Sequence, residues 1–310
     1  MQEFNPEEQK DPQKPAASFI KNLHPFTYVA IVLFIIFFLY QFLGAALVLV
    51  AGGADGDIGT FNVETTRIVL AFGQYMFILA PVIFFARFQT ADLKGMFRLR
   101  MPKATLLLLA IIGIILIQPF LQGYLYFQEQ AINSIPGLKD FVKPVKEIWD
   151  ELEGAVMKIV AAHSPMEFAV IVFVICITPA LCEEFLFRGF VLTNLKKTAN
   201  AGYAIFLSGF LFAVYHFQPF NLIPLVALGC YLGFIVYYSN SIFTGIACHF
   251  INNFLAAYYM YAYGKPEFDN PQITASEATN ALVAGVISLI LFLFVIYLYY
   301  RLRDKEIAVS

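Results

Sequence analysis

Thr-Pro-Ala-Leu-Cys-Glu-Glu-Phe-Leu-Phe-Arg-Gly, residues Thr178–Gly189, ends a run that is apolar enough to cross a bilayer, yet it carries two adjacent carboxylates and a guanidinium. Ionisable groups at that depth are costly and mark a site by default. On a helix Glu184 and Arg188 are one turn apart and can pair on one face. Glu183 is rotated about 100° away and is left without that partner. One carboxylate reads as structural and the other as available for chemistry.

The surrounding chain is built for lipid. Of its 310 residues 60% are hydrophobic and only 14% charged, and the mean hydropathy is +0.71. These values exclude an ordinary soluble domain and point to a polytopic membrane protein whose solvent is the lipid bilayer. A net charge of -2 with no basic block argues against nucleic acid as a partner. Met1–Lys21 is polar and does not have the plan of a cleavable signal peptide. Cys176, Cys182, Cys230 and Cys248 fall in apolar runs without Cys-x-x-Cys spacing and read as reduced packing residues.

A span needs about 20 apolar residues. On that template the sequence predicts an all-α fold of eight transmembrane helices with a polar cavity inside the membrane. The spans are Phe26–Val50, Arg67–Phe88, Thr105–Tyr126, Met166–Lys196, Tyr203–Gln218, Asn221–Tyr238, Ser241–Tyr261 and Asn280–Tyr300. They form one transmembrane domain, 26–301, between a polar N-terminal segment, 1–25, and a tail, 302–310. Lys and Arg gather after the second span (Arg87, Lys94, Arg98, Arg100, Lys103), the fourth (Lys196, Lys197) and the eighth (Arg301, Arg303, Lys305). Acids gather on the alternate loops (Asp55, Asp57 and Glu64; Glu147, Asp150, Glu151 and Glu153; Glu267, Asp269 and Glu277), so both termini are expected in the cytoplasm. In the longest loop, Phe127–Pro165, apolar residues from Val145 to Val160 recur at helical spacing. That segment reads as an amphipathic helix in the outer interface, an anchor or a covering for the interior.

Two later spans bring further polar groups to the interior. His216 follows Phe212 by one turn, and His249 precedes Asn253 by one turn. Measured from the cytoplasmic ends of the predicted spans at Lys196, Tyr203 and Ser241, Glu183 and His216 lie about 20 Å deep and His249 about 12 Å, compatible depths if the helices tilt. Gln118 and Gln122 flank Pro119 on the third span; they could line the cavity or bond to neighbouring helices. Each histidine alone also reads as a hydrogen-bonded packing residue. Together they suit water activation: a carboxylate in low dielectric as general base, one histidine holding the water, and a second His with an Asn stabilising an oxyanion. The same Glu183, His216 and His249 also match the three-ligand, one-water plan of catalytic zinc. His-Glu-x-x-His and Gly-x-Ser-x-Gly are absent, and the acids in Ala54-Asp55-Gly56-Asp57 sit in a polar loop.

These residues resemble the CAAX-processing and bacteriocin-processing protein family, also called the type II CAAX prenyl endopeptidase or Abi family of intramembrane proteases. Its signatures Glu-Glu-x-x-x-Arg, Phe-x-x-x-His and His-x-x-x-Asn stand here as Glu183-Glu184 to Arg188, Phe212 to His216, and His249 to Asn253, in family order, within about 166–262. The resemblance implies an endopeptidase acting on membrane-associated peptides, for relatives of one branch just after a prenylated cysteine. It further implies that Glu183 with His216 activates water, that His249 and Asn253 form the oxyanion site, and that Glu184, Arg188 and Phe212 support them. The implied cofactor is either none or a divalent metal such as zinc on Glu183, His216 and His249. The compact loops point to a bacterial plasma membrane. The competing classes are an ion- or proton-coupled transporter relaying charge through Glu183 and the histidines, and a non-catalytic immunity or scaffold protein of the same fold.

Overall fold

A computed structural model describes residues 23–52, 62–264 and 275–303. Asp55, Asp57, Glu267, Asp269 and Lys305 and the segments 1–22 and 304–310 lie outside the described residues, as does the Ala54–Asp57 tetrapeptide. The described chain is helical throughout. We number the main helices α1 (Pro25–Val50), α2 (Val63–Gln89), α3 (Ala104–Ser134), α4 (Leu138–Val160) and α5 (Pro165–Leu195). They continue with α6 (Ala201–Tyr215), α7 (Leu222–Ser239), α8 (Ile242–Tyr263) and α9 (Ala275–Leu302). A chain in hydrocarbon must satisfy every backbone group internally, which is why long apolar runs fold as helix. Their starts are set by local chemistry. Asn62, Ser164 and Asn200 accept backbone N–H bonds from Thr65, Glu167 and Tyr203, and Pro25 and Pro165 occupy first-turn positions where no donor is needed.

Among the described residues six helices are long and apolar enough to cross a membrane: α1, α2, α3, α5, α7 with its lead-in turn, and α9. The chain is a multi-pass integral membrane protein. The expected eight spans are therefore met only in part. α6 has 15 residues and is short, and α8 is diluted by His249, Asn252, Asn253 and its tyrosines.

The amphipathic helix expected in the long loop is present as α4 and begins earlier, at Leu138. Two further expectations need correction. The third span does not stop at Tyr126 but runs to Ser134, with Pro119 accommodated inside it. α6 ends at Tyr215 rather than Gln218. Gln218 precedes Pro219, which disfavours helical backbone, and Phe217 takes φ +52 to reverse the chain. The carbonyl of Phe220 in that reversal is bonded by Gln128 of α3 at 2.7 Å.

Burial falls into three apolar clusters. One joins α1, α2, α5 and α6 through Val32, Ile36, Val82, Leu186 and Phe190. A second joins α3, α7 and α9 through Ala110, Ile114, Ile235 and Tyr299. The smallest joins α5 to α8 through Ile171, Cys176 and Ala257. α5 meets the first and third clusters, and its charged stretch lies where they adjoin. α6 and α7 cross at Gly209 and Gly229, where a Cβ on Gly229 would stand 2.6 Å from the Gly209 carbonyl oxygen. Only glycine permits that approach.

Candidate active site

α5 is not a uniform α-helix. Two π-helical stretches, Val172–Ile177 and Phe185–Val191, bracket the α-helical turn that carries the glutamates. Such stretches shift side-chain direction and free carbonyls, and they concentrate at functional positions. Pro179 adds to this, because it has no N–H for the carbonyl of Ile175 one turn earlier. That carbonyl instead accepts the Asn253 amide nitrogen at 3.1 Å. At the other end, the Arg188 carbonyl accepts from Arg98 at 3.0 Å, so the loop after α2 steadies the distorted helix.

Glu184 and Arg188 form the expected pair at 2.8 Å, both with side chains fully buried. The pair is part of a larger network. Arg188 also donates to the Gly229 carbonyl at 3.0 Å, the group delivered by the glycine crossing of α6 and α7. The same Glu184 oxygen accepts the Nδ1–H of His249 at 3.0 Å. Its other oxygen faces Gly245, where a Cβ would come within 2.5 Å. Phe212 packs at the centre: the Arg188 guanidinium lies 4.5 Å from its ring centroid, and the rings of His216 and His249 lie at 4.4 and 5.8 Å.

The sequence-derived residues converge. His216, at the C-terminal cap of α6, donates Nδ1–H to the Phe212 carbonyl at 2.7 Å, which turns its Nε2 toward Glu183 at 3.6 Å. His249, with Nδ1 on Glu184, turns its own Nε2 toward the same Glu183 oxygen at 4.0 Å. Both gaps exceed hydrogen-bond length. That Glu183 oxygen is buried and has no hydrogen-bond partner. The side chains of Glu183 and His216 keep 17% and 25% of their exposure, whereas Glu184 has none. The unpaired carboxylate is thus the one that opens on the interior.

A cavity of about 400 Å³ extends from this point. Glu183, His216, His249, Asn252, Asn253 and Gln74 supply most of its polar wall, with Gln218. Val174, Leu228, Leu232 and Met260 supply much of the apolar one. Val156, Met157 and Val160 from the last turns of α4 also line it, so the amphipathic helix covers the site. Arg67 of α2 holds that end of α4 in place. It bonds the Ile159 carbonyl at 2.8 Å and the Ala161 carbonyl, and it pairs with Glu64 at 2.6 Å. The sequence reading did not pick out Arg67, Gln74 or Asn252 individually. Arg67 had a signal, being a cation at the start of an apolar run.

A carboxylate with one unpartnered oxygen, two oriented imidazoles and a largely apolar chamber together form the candidate site. Residues 165–255 match the family model of type II CAAX prenyl endopeptidase Rce1-like proteins, and over this stretch the chain is similar to that CAAX protease family. All three motifs fall inside the matched stretch. No curated protein and no solved structure matches the chain.

The family resemblance raises a divalent metal on Glu183, His216 and His249. Among the described residues no group of three or more His, Cys, Asp or Glu side chains is placed to hold a metal ion. The donors do not fit a metal as arranged, so no step is derived through one.

Proposed function

We propose that this protein is an intramembrane endopeptidase that hydrolyses peptide bonds of membrane-associated substrates with a water activated by Glu183 and His216. The observation that carries this reading is the unpartnered Glu183 oxygen, faced by His216 Nε2 at 3.6 Å and His249 Nε2 at 4.0 Å beside a largely apolar cavity. His216 keeps its proton on Nδ1, so its Nε2 and the Glu183 carboxylate are both acceptors. A water beside them donates one proton to each, which orients its lone pair toward a substrate carbonyl. As the water oxygen bonds to the carbonyl carbon, its proton passes to Glu183. The oxyanion is met by an Asn253 N–H and by the His249 ring, which Glu184 holds in place. Collapse breaks the C–N bond, and Glu183 returns the proton to the leaving amine.

Glu184 and Arg188 support this by holding His249, and Phe212 by holding His216. The apolar walls suit a hydrophobic residue or lipid chain next to the scissile bond, and a prenylated C-terminal tail of CAAX type is one such substrate. In this reading α6 and α8 complete an eight-helix bundle in a bacterial plasma membrane, with both termini cytoplasmic and the cavity reached from the cytoplasm or the lipid.

The test is cleavage of a mixed peptide set, prenyl-cysteine peptides included, by protein purified in detergent. Glu183→Ala and His216→Ala should each lower the rate by about 10²–10⁴-fold. Cleavage that survives both substitutions removes the proposed site. Loss of wild-type cleavage on adding a chelator would replace the metal-free water with a metal-bound one.

A further inference from the structure

Three side-chain amides from two helices form a head-to-tail chain that ends at Asn253. Gln118, on α3 and outside the family-matched segment, donates through Nε2 to the Ile114 carbonyl at 2.9 Å and to Asn252 Oδ1 at 3.1 Å. Asn252 donates through Nδ2 to Asn253 Oδ1 at 3.1 Å. Asn253 donates through Nδ2 to the Ile175 carbonyl at 3.1 Å. We propose that Asn252 and Gln118 are positioning residues for the hydrolytic reaction, locking the direction of the Asn253 carboxamide so that its nitrogen faces the reacting carbonyl. This rests on the endopeptidase reading above.

The physical problem is that a carboxamide is nearly symmetric in shape while its two ends are opposite in function. An Asn that turns over presents an oxygen where a donor is needed, and a lone pair facing an oxyanion repels it. One bond to the Ile175 carbonyl restrains Asn253 from its nitrogen end only. The chain restrains the oxygen end as well. Both ends of the series finish on backbone carbonyls, Ile114 and Ile175, which can only accept. Turning over any one member would set oxygen against oxygen or nitrogen against nitrogen. From Gln118 through Asn252 and Asn253 to Ile175 the donors run the same way, so each bond polarises the next. Of the two N–H groups on Asn253, one is taken by Ile175, which leaves the second for an oxyanion. Asn252 also lines the cavity, so the chain runs along the wall of the site. The family motif His-x-x-x-Asn names only the last member. Its orientation is set by a neighbour in sequence and by a glutamine on another helix.

The experiment compares wild type, Gln118→Met, Asn252→Ala, Asn253→Ala and the double variant Gln118→Met/Asn253→Ala in detergent, by steady-state cleavage and by NMR. Gln118→Met should lower kcat about 10- to 100-fold, the scale of a misplaced catalytic group. KM should stay within about twofold, because the amide acts as charge develops rather than as substrate binds. The double variant should be no slower than Asn253→Ala alone, whereas a helix-bonding role independent of Asn253 would add its own loss. In asparagine-labelled protein the Asn253 side-chain amide pair, assigned by its disappearance in Asn253→Ala, should move in Gln118→Met. An unmoved pair, or full additivity in the double variant, overturns the proposal. A moved pair in a wild type that cleaves nothing would instead defeat the hydrolytic reading and leave the amide chain intact. Asn252→Ala, which breaks the chain nearer its end, should reproduce both effects if Gln118→Met does not accumulate as folded protein.

Discussion

α4 and α5 follow one another in the chain and are opposite in what surrounds them. α5 hides Glu184 and Arg188 completely, whereas not one residue of α4 is buried. The apolar stripe of α4 is left open, with Phe141 at 81% exposure and Ile148 at 64%. Each solves the same problem by a different rule. Glu184 and Arg188 enter α5 because each finds fixed partners: Arg188 has Glu184, the Gly229 carbonyl and the Phe212 face. The charges of α4 stay at the surface, and its apolar side is left open from Phe141 to Leu152 while its last turns, Val156 to Val160, cover the cavity. Stability should therefore concentrate around α5, and the covering over the cavity should be the part that opens first.

The contrast can be broken at its strongest point by Arg188→Ala. Removing one partner of a fully buried pair costs about 3–5 kcal/mol, so thermal unfolding in detergent should show a severe loss or no folded protein. A variant that melts like wild type would mean the network is not what holds α5. Next in size is Arg67→Leu, which removes hydrogen bonds from a charged donor, worth about 1.5–3 kcal/mol for such a contact. Its exposed Glu64 partner adds little. The effect should be local: faster amide exchange in the last turns of α4, with the α5 amides unchanged. Exchange that rises equally in both helices would erase the distinction between them.

Gly229→Ala should cost about 1–3 kcal/mol by overpacking the α6–α7 crossing. It should also lower cleavage, since the displaced Gly229 carbonyl is an Arg188 partner. A neutral result would show that the two helices part without disturbing the network. The smallest change is Ile148→Asn on the open face of α4, expected to fall within about 0.5 kcal/mol of wild type in a melting measurement. A large drop there would mean that α4 is packed against protein.

Much of the site was legible because its geometry is local. Glu184 with Arg188, Phe212 with His216, and His249 with Asn253 are each four apart, and helical periodicity alone puts each pair on one face. The convergence of three helices needed only similar depths. What was hidden depends on departures from regular helix. The π-helical stretches of α5 have no periodic signal, and the end of α6 at Tyr215 turns on Pro219 rather than on hydropathy. The His249–Glu184 bond joins two motifs that were read as separate, one catalytic and one structural. Gln118 was noticed as polar, but its partner Asn252 lies 134 positions away, and nothing in either segment names the other. By length and composition α8 does not stand among the six apolar spans, since His249, Asn252, Asn253 and its tyrosines dilute it.

The brevity of α6 has one more consequence. Fifteen residues rise about 22 Å, some 8 Å less than a typical hydrocarbon layer. The reversal that carries His216 and Phe217 then sits below the far face of the lipid, with Gln128 of α3 meeting the Phe220 carbonyl that water would otherwise have to reach. In the proposed eight-helix bundle the lipid beside this helix would have to thin to meet it, at a cost that rises by fractions of a kcal/mol for each ångström of mismatch. Acyl-chain length thus becomes a control on this protein: reconstituted in vesicles of short-chain lipid it should work faster than in long-chain lipid, and a rate indifferent to membrane thickness would mean that α6 never touches lipid along its length.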